Sequence, residues 1–537
     1  MMPSHAAAGC LLLVAVAGAF THVAAAAPKP HIMTVLMDDV GWYDTQINNP
    51  NSDATPHIGE LADAGIRLGR HYAFTVCSPT RRSILSGRFP VTLGAGQANV
   101  CSDYLPLPFT LISVKLNRSG YACHFVGKGH LGYATMDHLP INRGFQTHVG
   151  YFHADESYDH GEKAFPDDAY AQATTTDEAD ELNRDSFGGP PHDMWHGDHA
   201  GVDVVPDIYY STNYYSDRAV SFINQHNNAS TSPLFIHLPY QCCHSPYGDV
   251  PEWERMQPRS TMWNPVYADM LRVLDTGLAN VTAAWKAAGM WDNLLMIVSS
   301  DNGGSTTGNT ANNYPLRGTK TMPFDGGMRV AAFISGGFVP PALRGTTNSH
   351  TFMHVADWYP TLCGLAGADP TDDVKGLDGV VRGIDGKDQW AQLTQGSMVQ
   401  PHDYLPLEFD TIIQPSTGWK LVSPTHGSMW WTPNGTAYGE NDPMCKKTLC
   451  LFNITADPGE RVDLSAANPG IVKALLKQSN SYQSIGSNYA YNTSLYEPMP
   501  NQSDPKHNQG LNNFTGYFTP CFRRANGMVE DLAAVEV

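Results

Sequence analysis

Basic residues are scarce in this chain: 33 Lys and Arg stand against 52 Asp and Glu over 537 residues, a net charge of −19. A balance of that sign excludes binding to nucleic acid or anionic lipid through bulk charge. It leaves room for a local basic pocket around an anionic substrate. Long apolar runs are scarce too. After residue 20 no stretch approaches the roughly 20 residues that a membrane-spanning helix needs, so no stable anchor is expected. No internal repeat is found, which argues against solenoids and propellers. The ten cysteines show no zinc-site spacing.

What is present first is a leader. "MMPSHAAAGCLLLVAVAGAFTHVAAAAPKP" has an apolar run from Ala6 to Phe20, then small residues from Ala24 to Ala27. This reads as a secretory signal peptide over 1–26, cut near Ala26 or Ala27. The eight N-x-[ST] sequons, at Asn117, Asn228, Asn280, Asn434, Asn453, Asn492, Asn501 and Asn513, point the same way. Cys10 leaves with the leader. In an oxidising compartment some cysteines are expected to pair, and Cys445 and Cys450 are close enough for a short loop.

The rest of the chain has the composition of a folded globular protein, 42% hydrophobic and 16% charged. Apolar runs at 32–37, 121–126, 234–238 and 294–299 read as buried strands. They alternate with helical patterns at 215–223 and 270–287. The fold class expected is therefore α/β with a large, mostly parallel sheet flanked by helices. Residues 153–200, acidic and poor in large aliphatics, are expected to be a long loop or insertion. The polar, Gly-rich stretch near 365–405 divides a 27–400 unit from a smaller C-terminal α+β domain over 401–537. There "WKLV" and "LCLFNI" read as strands and "NPGIVKALLKQ" as a helix.

Polar residues follow the strands in a pattern. Asp38 and Asp39, Lys128 and His130 in a Gly-rich turn, His244, and Asp301 and Asn302 each follow the end of an apolar strand. In open α/β sheets ligands bind outside the carboxyl ends of strands. Asp38, Asp39, Asp301 and Asn302 are hard oxygen donors, suited to Ca²⁺ or Mg²⁺ rather than zinc. Arg81, Lys128, His130, His244 and Lys320 would surround such a cation with positive charge, as a transferring oxyanion requires. Taken singly, Lys320 or Arg317 would read as a surface cation. His354 reads as a core or helix-start residue, and Trp430 and Trp431 as packing. In "TVCSPTRRSILSGR", Pro79 fits a first helical turn and Gly87 a stop. Cys77 then stands at a helix N-terminus, where the dipole would lower a thiol pKa.

These segments carry a resemblance. "CSPTRRSILSGR" resembles the sulfatase signature, and "LMDDVGW", "GKGHLG", "CCHSP", "SSDNGG" and "PLRGTK…GGMRV" are similar to the companion motifs of that family, in family order. "LFNITADPGERVDL" is similar to its C-terminal motif. The spacing is most similar to the arylsulfatase B (N-acetylgalactosamine-4-sulfatase) group. The resemblance implies an alkaline-phosphatase-like core and hydrolysis of sulfate esters on sulfated sugars or aryl sulfates. It implies that a formylglycine-generating enzyme reads Cys77, Pro79 and Arg81 and oxidises Cys77 to formylglycine (3-oxoalanine). One hydroxyl of its hydrate would attack sulfur; the other would expel sulfate by elimination. It further implies that residue 77, Asp38, Asp39, Asp301 and Asn302 hold the metal, that Arg81 positions the hydrate and that Lys128 binds sulfate. His130 would take the proton, and His244 with Lys320 would protonate the leaving alcohol. The location implied is the secretory pathway, lysosomal or extracellular.

Two departures stand out. Gly129 replaces the usual Trp between Lys128 and His130, which is expected to loosen that turn. Asp325 replaces the usual Glu before Gly326. Two other readings remain open from sequence: a phosphoester or phosphonate hydrolase of the same superfamily, and a noncatalytic glycoprotein that binds sulfated glycans.

Overall fold

Each apolar run becomes a strand because both of its faces are covered. In the strand His31–Met37, Met33, Val35 and Met37 pack in one cluster with residues of helices Ser211–His226 and Pro265–Ala287. Ile32 and Leu36 pack on the opposite side with residues of helices Cys77–Ser86, Ile112–Arg118 and Trp358–Ala366. A strand buried on both faces loses the polar alternation of a half-exposed one, which is why the runs read as continuous. Burying one such Ile or Leu side chain contributes about 1.5–3 kcal/mol.

This is a computed structural model describing residues 28–94, 104–154, 158, 194–197, 199–200, 210–226, 230–245, 247, 250–305, 310–376, 378–425, 427–440, 442–486, 496–498 and 522–524. The expected leader, most of the 153–200 insertion, Cys101, Cys521 and the sequons at Asn228, Asn492, Asn501 and Asn513 lie outside the described residues. Among the described residues no helix is long and apolar enough to cross a membrane.

The main sheet has ten strands. From edge to edge they are Thr346–Asn348, Ile66–Leu68, Ala332–Ser335, Leu294–Ser300, His31–Met37, Leu234–Pro239, Ala122–Lys128, Thr147–Tyr151, Trp195–His196 and His199–Ala200. The central block from Leu294–Ser300 to Thr147–Tyr151 is parallel throughout. Antiparallel neighbours flank it on both sides. The sheet is therefore mixed but mostly parallel, as expected. Two described pieces of the expected insertion are its last two strands. Lys128 corrects the sequence reading: it closes its strand, opposite Tyr151, instead of lying in the turn.

The helix after Cys77 begins with Val76 extended and no side-chain cap, and stops at Gly87, whose φ of 69° suits only a left-handed cap. A second, antiparallel sheet of Leu405–Glu408, Thr411–Gln414, Trp419–Val422 and Cys450–Asn453 lies further along the chain. One face, with Ile412, Leu421 and Leu451, packs with Leu475 of helix Pro469–Gly486. The other, with Leu405, Leu407, Ile413 and Phe452, packs with Tyr72, Phe324 and Met328 of the main body. Cys445 and Cys450 form a disulfide, whereas Cys77, Cys123, Cys242, Cys243 and Cys363 are free and buried.

Candidate active site

The carboxyl ends of the central parallel strands bring the predicted residues together. Register pairs Met37 with Ser300 and Leu36 with Pro239, so Asp38, Asp39, Asp301 and Asn302 emerge side by side, with His244 a short loop away. Helix Cys77–Ser86 points its first turn at them, and Cys77 Sγ lies 3.4 Å from Asp38 Oδ1. Asp38, Asp301 and Asn302 are fully buried, and Cys77 and Asp39 nearly so.

Each carboxylate has a cation. Arg81 Nη2 and Nε donate to Asp301 Oδ2 at 2.7 and 3.0 Å, and Arg81 Nη1 donates to the carbonyl of Lys128 at 3.1 Å. Lys128 Nζ donates to Asp38 Oδ2 at 2.5 Å. Lys320 Nζ lies 2.7 and 2.8 Å from the two oxygens of Asp39, and His244 Nε2 lies 3.7 Å from Asp39 Oδ2. Burial works against the charged form of Asp38, but Lys128, His244 and Arg81 outweigh it and hold its pKa well below the usual range. Burial and the neighbouring Asp38 push Asp301 up, against the pull of Arg81. For Lys320, burial favours the neutral amine, yet Asp39 prevails and keeps it protonated.

Cys77 overturns one expectation. Its helix N-terminus does not leave a low-pKa thiol: burial first, then Asp301 and Asp38, push the pKa well above the ordinary value. Two carboxylates at close range outweigh the dipole of one helical turn. The plain thiol is therefore a poor nucleophile here. His130 has its pKa lowered well below the ordinary value by burial, then by Lys128 and Arg81.

The turn at Gly129 is also not loose. Gly129 N–H donates to Tyr151 O at 2.7 Å and His130 N–H to Phe152 O at 3.1 Å, so backbone bonds pin it to the neighbouring strand end. Asp39 and His130 have φ of 58° and 52°, unusual for non-glycine residues and typical of constrained sites.

The structure gathers donors that can hold a metal ion, a group that includes His244 and not the expected Asp301. One atom each from Asp38, Asp39, Cys77 and His244 lies within 4.8 Å of the others. Asn302 Nδ2 donates to Asp39 Oδ1 at 2.7 Å and to Gly303 O at 2.9 Å, yet its buried Oδ1 has no hydrogen-bond partner. A buried amide oxygen left unsatisfied costs about 1–3 kcal/mol. A cation satisfies it.

Sequence reasoning missed the residues that shape the Asp38–Asp39 loop. Asp44 accepts Gly41 N–H at 2.6 Å, Asn312 N–H at 2.8 Å and the Tyr267 hydroxyl at 2.8 Å. Burial pushes its pKa up to about 7. Asp44 reaches back three residues to the Gly41 N–H, the reverse of an Asx turn, so local spacing gave no signal for it. Tyr267 carried no signal within an apolar helix. His354 accepts Ala356 N–H at 3.1 Å at the start of a helical turn, as expected. Trp430 and Trp431 are buried and donate to Gly459 O and Gly318 O, so they pack.

A mostly parallel α/β sheet thus gathers buried acids, cations and a helix-borne Cys at its carboxyl edge, where open α/β sheets bind their ligands. The family model described as Sulfatase matches residues 30–368, and the chain belongs to the sulfatase family, the sulfuric ester hydrolases. Arylsulfatase J of Mus musculus is 30% identical over 518 residues, covering 90% of this chain and 80% of its own. N-acetylgalactosamine-6-sulfatase of Mus musculus is 27% identical over 513 residues, covering 86% of this chain and 87% of its own. Among solved structures, Ps i-CgsB in complex with k-i-k-neocarrahexaose superposes with a TM-score of 0.65 at 25% identity, over 87% of this chain and 96% of that one. The PsFucS1 sulfatase from Pseudoalteromonas sp. shares the fold, with a TM-score of 0.65 at 21% identity over 86% and 92% of the chains.

Proposed function

We propose that this sulfatase removes sulfate from sulfated carbohydrates, with residue 77 in formylglycine form and a divalent cation, Ca²⁺ or Mg²⁺, beside it. The observation that carries the reading is the 3.4 Å approach of Cys77 Sγ to Asp38 inside a shell of Arg81, Lys128 and Lys320. When present, formylglycine supplies a hydrated aldehyde as nucleophile and the cation supplies Lewis acidity. Asp38, Asp39, Asp301, Asn302 and residue 77 hold the cation. Arg81 orients residue 77 and anchors Asp301. Lys128 neutralises sulfate oxygens. His130 accepts a proton, and His244 with Lys320 holds one at the departing oxygen.

The resemblance to the arylsulfatase B group implies N-acetylgalactosamine 4-sulfate as substrate, while relatives named N-acetylgalactosamine-6-sulfatase keep the 6-sulfate in play. The leader and sequons support maturation by a formylglycine-generating enzyme on the secretory route, ending in the lysosome or outside the cell. The chain divides near residue 400 into a catalytic unit and a small C-terminal domain.

The test is a panel of 4- and 6-sulfated N-acetylgalactosamine mono- and oligosaccharides beside phenyl sulfate and phenyl phosphate. Turnover of the sulfated sugars is expected to exceed that of the phosphate. Preferred hydrolysis of the phosphate would select the phosphoester reading. Sulfated-sugar binding without turnover, with formylglycine present, would select the noncatalytic one.

A further inference from the structure

Lys320 sits in an irregular segment between Arg317 and Asp325, and such a segment needs outside contacts to hold one conformation. The small antiparallel sheet, the segment 428–431 in the connection between two of its strands, and the turn after it supply them at both ends. At the first end, Arg317 is fully buried. Its Nη1 donates to Glu460 O at 2.8 Å, and its Nη2 and Nε donate to Ser428 Oγ at 2.5 and 3.1 Å. The guanidinium lies between Phe324 and Trp430, 4.0 and 4.4 Å from their ring centres. Gly318 N–H donates to Met429 O at 2.8 Å, and Trp431 Nε1 donates to Gly318 O at 3.0 Å.

At the other end, the buried Lys420 Nζ lies 2.8 Å from both Asp325 Oδ1 and Glu460 Oε1. Glu460 Oε2 accepts Asp325 N–H at 2.7 Å, and Tyr72 donates its hydroxyl to Asp325 Oδ2 at 3.2 Å. The shorter acid at 325 thus still meets its lysine. The two ends close on each other where Gly326 N–H donates to Arg317 O at 2.6 Å. Between them Thr321, next to Lys320, has a φ of 72°. For a β-branched residue that conformation costs about 1–3 kcal/mol and persists only when its surroundings impose it.

We propose that Trp431, Ser428, Lys420 and Glu460 are positioning residues for Lys320: they clamp both ends of its loop and so keep Nζ on Asp39, at the leaving-group side of the site. The proposal rests on the reading that Lys320 assists departure of the alcohol. Charge builds on the departing oxygen most when the alcohol is a weak acid. A displaced Lys320 therefore slows esters of weakly acidic alcohols more than esters of acidic phenols. Loss of fold or of active-site content slows all of them equally.

The experiment measures kcat/KM for aryl sulfates of graded phenol acidity with the full-length protein. Lys320→Ala is expected to steepen the dependence, the worst leaving group losing about 100-fold more than the best. Trp431→Phe, Ser428→Ala and Lys420→Met are expected to steepen it by about tenfold across the series. In the Lys320→Ala background they should add nothing to the slope, since the group they position is gone. Lys420→Met leaves two buried acids without their amine and is the variant most exposed to misfolding. Trp431→Phe keeps the ring and removes one N–H, so it carries the test if that variant fails. If Lys320→Ala leaves the slope unchanged, the assignment of Lys320 falls and the clamp with it. If Lys320→Ala steepens the slope while Trp431→Phe and Ser428→Ala lose activity evenly or not at all, the clamp alone is overturned.

Discussion

Arg81 and Asp301 form a buried pair in which two guanidinium N–H groups converge on one carboxylate oxygen, at 2.7 and 3.0 Å. Both side chains are almost wholly removed from solvent. Removing one partner of such a pair strands the other charge and costs about 3–5 kcal/mol. Arg81→Ala is expected to lower the unfolding free energy by that amount, with a matching fall in the denaturation midpoint, as well as abolish turnover. Arg81→Lys cannot place two donors on the oxygen while a third reaches the Lys128 carbonyl, so it should recover only part of the loss. An unchanged midpoint in Arg81→Ala would contradict the pairing.

Residue 77 makes a chemical prediction. Active protein should react with a carbonyl-directed hydrazide probe at the peptide containing residue 77, and Cys77→Ala should lose both labelling and turnover. Active protein carrying only unmodified Cys77 by peptide mass would defeat the proposed chemistry. Cys77→Ala should still fold, because it removes a buried thiol without stranding a charge.

The unsatisfied Oδ1 of Asn302 predicts the behaviour of the cation. Chelation should abolish activity and lower the melting temperature, and calcium or magnesium should restore both. A cation at 1,000 times its dissociation constant stabilises by about 4 kcal/mol. Asn302→Leu should raise the concentration needed for half-restoration by about tenfold or more, at 1.4 kcal/mol per tenfold. Equal cation titrations for the two proteins would remove Asn302 from the ligand set.

Gly303 predicts a steric effect next to that ligand. A Cβ there would lie 1.8 Å from Gly326 O. Gly303→Ala must therefore separate the Asp301–Gly304 turn from the loop at Gly326, moving Asn302 off the site. Activity should fall more than stability, and excess calcium should restore part of it. Wild-type kinetics in Gly303→Ala would show that this close approach does not position the ligand.

Buried histidines predict a loss of stability in acid. His71 Nε2 accepts the Trp358 indole N–H at 3.0 Å, and burial lowers its pKa to about 4. His354 Nδ1 accepts Ala356 N–H at 3.1 Å, and burial lowers its pKa to about 3. In the unfolded chain both titrate near 6.5. Their contribution is complete above that pH and is lost as pH falls through 6.5 toward the folded values, at about 2 kcal/mol each by pH 5. Glu408 runs the other way: burial raises its pKa to about 7, so it penalises the fold as pH rises through the range between its unfolded value and 7. The comparison must therefore be between variants. Between about pH 7.5 and pH 5 the urea midpoint should fall less steeply in His71→Gln and His354→Gln than in wild type. Parallel slopes would show that these rings do not carry the acid sensitivity.

The sequence by itself determined the α/β class, the strand ends that carry the site, and the identity of nearly every acid and cation in it. In the central parallel block the strands are buried on both faces and nearly continuously apolar, so charged residues enter where those strands stop. Asp38, Lys128 and Asp301 are therefore marked by where each apolar run ends. What only the tertiary structure decided depends on distances between segments far apart in the chain. The thiol at Cys77 is raised and not lowered because Asp38 and Asp301 converge on it from two other strands. The turn at Gly129 is pinned because the strand Thr147–Tyr151 ends beside it. Lys320, on a loop with no periodicity of its own, takes its place from Trp431, Lys420 and Glu460, a hundred or more residues later. Local periodicity reports which face of an element is buried; it contains no information on which distant charges or donors will meet there, and those encounters set the pKa of residue 77 and the geometry of the site.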